Sequence, residues 1–133
     1  MAIQTKQQKR AAFALEQIKN FKDTKKDAKE FHELANFIVG VPNMILSNGL
    51  GQTLAFLLTK KDKQKKTFWV IKDWLESSDN SFFTSKANDE MEFLTQFTTV
   101  DQRKYLSMQE ETLRLMEWLK RYARAFDDFK DKE

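Results

Sequence analysis

Few side chains in this sequence are able to do chemistry. Histidine occurs once, at position 32, and cysteine not at all. That removes thiol nucleophiles, His/Cys zinc sites, iron–sulfur clusters and any Ser-His-Asp relay not using His32. Position 29 is Lys, so the Glu-x-x-His pattern of helical di-iron sites is missing, and His32 reads as an ordinary surface or packed histidine. Gly49-Leu50-Gly51 begins like a phosphate loop, but position 54 is Leu and no Gly-Lys-Ser/Thr follows. These glycines read as helix punctuation that also allows a backbone or phosphate to approach closely. Glu110/Glu111 and Asp127/Asp128 are the remaining candidates for acid–base work or magnesium. They read as solvated charge, on a helix with compensating arginines and in a tail.

What remains is cationic. The 133 residues carry a net charge of +3, unevenly spread. Residues 1–30 hold eight Lys/Arg against four acids, 60–76 and 102–126 six against three each, and 77–101 one Lys against five acids. Such segregation suits a chain that offers one surface to a polyanion and another to a protein. Lys6, Lys9, Phe13 and Asn20 fall on one face of the first amphipathic segment with Arg10 at its flank, so Phe13 either stacks on a base or packs on another helix or subunit. Lys60, Lys61, Lys63, Lys65 and Lys66 form the densest cluster, in an expected loop. Glu110 and Glu117 stand four residues before Arg114 and Arg121, the favourable order for intrahelical pairs. Lys120, Arg121 and Arg124 still outnumber their local acids and leave a basic end suited to RNA.

The elements that must position these residues are helical, because apolar residues recur at three and four throughout and no stretch alternates. Thr5 and Gln8 form a capping box, followed by Ala11, Ala14, Leu15, Ile18 and Phe21 on one face of a helix over about 5–22. A second helix from about Asp27 is expected to end near Gly40, since Pro42 disfavours helix just before it. Pro42 then opens a short helix to Ser47, Asn48-Gly49 stops it, and another begins near Leu50. Phe68, Ile71, Trp74 and Leu75 mark a further helix, and Met91, Leu94 and Phe97 a shorter one. The last, about Asp101 to Phe126, is amphipathic along its length. Leu34 to Thr59 is uncharged, but its Asn, Gln, Gly and Pro residues would break the backbone inside lipid, so it reads as the buried centre of the fold. The expectation is an all-α bundle of about five to seven helices with a long C-terminal helix, one domain over 1–133, and mobile segments at 60–66, 77–88 and 127–133. The N-terminal MAIQTKQQKR has no apolar signal core, which points to the cytoplasm.

Three segments carry a family resemblance: Gln8-Lys9-Arg10-Ala11 leading into Phe13-Ala14-Leu15-Glu16, Ser47 to Phe56, and Leu115 to Ala123. Together they resemble the small subunit of the Cmr complex, the type III-B CRISPR RNA-guided effector, nearly end to end. The resemblance implies an all-helical, non-catalytic protein without metal or cofactor. It would line the inner filament beside the backbone and large subunits and neighbouring copies of itself, and help hold target RNA against the guide RNA. No membrane or small-molecule substrate is implied. Lys9, Arg10, Lys120, Arg121 and Arg124 are the expected phosphate contacts. Asn48, Gly49 and Gln52 are expected to shape a close approach of backbone to RNA or to another subunit. The alternative is a helical adaptor that bridges proteins and touches no RNA.

Overall fold

Four of the five helices begin where a polar side chain takes up a free backbone N–H; the one entered through Lys61 has no such cap. Thr5 and Gln8 bond reciprocally, at 2.8 and 3.0 Å, as a capping box requires. Asp27, Asp89 and Asp101 accept from the N–H groups of Lys29, Glu92 and Lys104, which also places negative charge at the positive end of each helix. The computed structural model describes residues 3–24 and 27–129, the side chain of Asp62 excepted. Five helices result: α1 (Lys6–Thr24), α2 (Ala28–Leu58), α3 (Asp62–Glu76), α4 (Glu90–Thr99) and α5 (Gln102–Ala125), with no strand among the described residues. The all-α class and the long final helix are as expected.

Helix α5 lies against α1, α2 and α3, and its buried Met108, Leu115, Met116, Leu119 and Ala123 join one apolar core with residues from the other four helices. Arg10 reaches Glu111, and Lys22 reaches the carbonyl of Phe126. Since both numbers rise together, α1 and α5 run parallel, side by side.

Two expectations about helix boundaries are corrected. Gly40 and Pro42 do not end a helix, because α2 passes through both. Proline in a helix interior costs about 3 kcal/mol. On the same stripe Phe31, Leu34, Ile38, Val41 and Ile45 are buried, each contributing roughly 1.5–3 kcal/mol, so burial outweighs the local cost. The lysine run at 60–66 is a loop only at Lys60 and Lys61: α3 starts at Asp62, and its Lys63 and Lys65 meet Glu30 and Glu90 at 3.3 and 3.4 Å. The expected stop at Gly49 does occur. With φ 85° and ψ 161° it is the non-helical residue inside α2, a conformation open to glycine and strained for other residues.

Residues 77–89 form the irregular connection, and buried hydrogen bonds fasten it. Lys72 donates to Glu76 at 2.7 Å and to the Ala87 carbonyl, while Glu76 accepts from the Ala87 N–H at 2.7 Å. Asn80 donates to the Trp74 carbonyl. Of the expected tail, 130–133 lie outside the described residues, whereas Asp127 is buried against α2.

Candidate nucleic-acid interface

The five cations expected to meet phosphate stand in two groups. Lys9 and Arg10 occupy the first half of α1, level with Glu110 and Glu111 of α5. Lys120, Arg121 and Arg124 occupy the last turns of α5, about 15 Å further along the same direction at 1.5 Å per residue. A single phosphate therefore cannot meet both groups, while several nucleotides of an extended strand can.

Arg10 has an internal partner. Its Nε and Nη2 donate to the two carboxylate oxygens of Glu111 at 2.6 and 2.8 Å, and the indole Nε1 of Trp74 donates to the same carboxylate at 2.8 Å. Lys6 stands 3.8 Å from it. Burial alone would raise the Glu111 carboxyl, but the hydrogen bonds from Arg10 and Trp74 outweigh it and hold the group below its ordinary value. The same bond raises Arg10. Phe13 packs beside this cluster with its ring 5.0 Å from that of Trp74, so its partner is α3 of its own chain. Glu111, read from sequence as solvated charge, is a buried structural acceptor. Its signal was its position between Met108 and Leu115, three and four residues away on the apolar arc.

The other cations are more open. Lys9 faces Asp79 at 3.4 Å with both side chains more than a third exposed, an arrangement worth little in water. Glu110 pairs with Arg114 as expected. Glu117, however, pairs with Lys120 at 3.4 Å rather than with Arg121. Arg121 and Arg124 are exposed, and neither has an ion-pair partner among the described residues. The α2–α3 corner holds a groove of about 760 Å³ lined by Lys60, Lys61 and Lys63 with Glu33. There Lys63 is bridged to Glu30 and Lys60 lies over the Phe56 ring at 4.6 Å, so this cluster is partly neutralised from within.

The break at Gly49 is closed by the protein itself. Gln109 Oε1 accepts the Leu50 N–H at 2.8 Å, and Tyr105 Oη accepts the Gly51 N–H at 3.1 Å. A Cβ on Gly49 would stand 3.3 Å from that hydroxyl. A close approach to the backbone at Gly49 is thus made by α5, and the N–H groups of Leu50 and Gly51 are occupied. Asn48 and Gln52 remain exposed beside it. Tyr105 and Gln109 were missed as clamps because they lie 54 and 59 residues from their partners.

His32 is also accounted for structurally. Its Nδ1 lies 2.6 Å from Asp127 Oδ2, its Nε2 3.2 Å from the Asn36 amide, and its ring 5.3 Å from that of Phe129. An ionised carboxylate only accepts, so Nδ1–H donates to Asp127. Asp128 meets Lys22 at 2.7 Å. Among the described residues no group of three or more His, Asp or Glu is placed to hold a metal, and no helix is long and apolar enough to cross a membrane.

Over residues 6–126, from the first residue of α1 to the residue that caps α5, the sequence matches the family of CRISPR-associated proteins designated Cas_Cmr5. The match takes in all five helices, the Arg10–Glu111–Trp74 cluster and the break at Gly49. The chain belongs to that family and is a CRISPR-associated Cmr subunit.

Proposed function

We propose that the protein is the non-catalytic small subunit of a type III-B effector, lining the inner filament and holding target RNA against the guide through sequence-independent phosphate contacts. The observation that carries this reading is the pair Arg121 and Arg124, exposed on the last turns of α5 without an acidic partner among the described residues. Unpaired guanidinium groups on a rigid helix are suited to phosphate, and they carry no information about base sequence. Lys120 joins them, and Lys9 extends the contact along α1, since its exposed bridge to Asp79 exchanges for phosphate at little cost. Arg10 drops out of the contact set because Glu111 holds it. Asn48 and Gln52 are polar contacts to RNA or a neighbouring subunit.

A protein-bridging adaptor is the second reading, favoured by Leu46, Met91 and Leu106, which are more than half exposed. Photo-crosslinking of the RNA-loaded complex separates the two. RNA adducts on the peptides containing Lys120, Arg121 and Arg124 support the first. Protein crosslinks on those peptides with no RNA adduct anywhere in the chain support the adaptor.

A further inference from the structure

The ends of α1 and α5 enclose a groove of about 450 Å³ lined by Leu15, Ile18, Lys19, Lys22, Asp23 and Phe126. Its floor is apolar, and the Lys19 and Lys22 ammonium groups stand at its rim with the Asp23 carboxylate. Phe126 is 43% exposed, and its ring ends a ladder that ascends α5: Trp118 to Tyr122 at 5.7 Å and Tyr122 to Phe126 at 6.4 Å between centroids. The two upper rings are partly buried against the core, so Phe126 is the member free to accept a further ring. Lys22 fixes it in place by donating to its carbonyl at 2.6 Å, and is itself neutralised by Asp128. Lys19 is exposed without an ion-pair partner among the described residues.

We propose that this groove receives one unpaired base of single-stranded RNA, stacked on Phe126, with Lys19 meeting a flanking phosphate. An apolar, aromatic floor beside the unpaired Lys19 ammonium complements both halves of a nucleotide. An apolar protein side chain would use the floor and leave Lys19 without an anion. The inference rests on the reading of this chain as an RNA-contacting subunit. It adds that contact is made to a base as well as to the backbone, with a ring that every base can use.

The test is affinity of the full chain for a fluorescent oligouridylate at low salt, with thermal unfolding of each variant as the control. Phe126→Ala and Phe126→Leu are each expected to weaken binding about tenfold, since a stacked base contributes on the order of 1–3 kcal/mol. Leu fills the groove but offers no aromatic face, and Phe126→Trp should restore affinity. An oligonucleotide of abasic sites should bind the parent chain as weakly as it binds Phe126→Leu. If Phe126→Leu matches the parent while Arg121→Ala weakens binding, phosphate contact stands and base stacking is overturned. Failure of Arg121→Ala and Arg124→Ala to change affinity overturns the RNA reading itself, as does a chain that binds no oligonucleotide at low salt. A Phe126→Leu change that dissociates a dimer but leaves RNA affinity intact assigns the groove to a second copy and also overturns the proposal.

Discussion

Arg10 and Glu111, 101 residues apart in sequence, are joined by two hydrogen bonds whose fork geometry locks the start of α1 onto the middle of α5. The Trp74 indole supplies a third donor from α3, so one carboxylate ties three helices together. The cluster gives a cation in a family-like segment an internal partner. It also fixes the parallel alignment of α1 and α5 that spaces the remaining cations.

Removing one partner of such a buried pair leaves the other charge uncompensated, at a cost of about 3–5 kcal/mol. Glu111→Ala and Arg10→Ala are each expected to lower stability by roughly that amount. The double variant should lose clearly less than the sum of the two. Urea denaturation of the four proteins measures the coupling, and simple additivity would contradict it.

Glu111 titrates lower in the folded chain than in the unfolded one. Its contribution to stability is therefore fully present above the ordinary carboxylate value of 4.5 and is lost as pH falls through the lower, folded value. Unfolding free energy should decline on acidification below about pH 5, and less steeply in Glu111→Gln, which has no charge to lose. Equal slopes for the two proteins would show that other carboxylates govern the acid limb.

Opposite signs are expected at two glycines of the same helix. Gly49→Ala must place a Cβ at φ 85°, 3.3 Å from the Tyr105 hydroxyl, and should destabilise by about 1–3 kcal/mol. Gly40 lies in regular α2 with nothing within 4 Å of a would-be Cβ, so Gly40→Ala should stabilise by up to about 1 kcal/mol. Thermal unfolding reads both. A stabilised Gly49→Ala would mean that the break is not needed.

Signals that act over one helical turn were legible in the sequence. The Thr5–Gln8 box, the break at Gly49 and the extent of α5 all lie within reach of their own causes. Pro42 misled because its cost is local, whereas the burial of Phe31 through Ile45 that overrides it depends on the rest of the chain. The lysines at 60–66 misled in the same way, since Glu30 and Glu90 lie about thirty residues from Lys63 and Lys65. In the candidate site, the exposure of Arg121 and Arg124 could be anticipated from the excess of cations over acids near them. The internal engagement of Arg10, Gly49 and His32 could not, because Glu111, Tyr105 and Asp127 join them only after the chain folds.

Gln109 satisfies the Leu50 N–H that the break exposes. Gln109→Ala should leave that half-buried donor unpaired and cost about 1–3 kcal/mol, while Gln109→Glu, which keeps the acceptor, should cost less. Hydrogen exchange at Leu50 reports the bond directly: faster exchange in Gln109→Ala alone is the expected result, and unchanged protection would remove Gln109 from the clamp.

The account turns on Arg121 and Arg124 as phosphate contacts, and the salt dependence of target-RNA retention by the assembled complex tests them most directly. Each lost contact on a single strand should reduce the slope of log affinity against log salt by about 0.7. The double alanine variant should therefore bind less tightly at low salt, with a slope shallower by about 1.4 for each copy engaged, and its unfolding should be unchanged. A folded, assembled variant with the parent's affinity and slope would contradict the account.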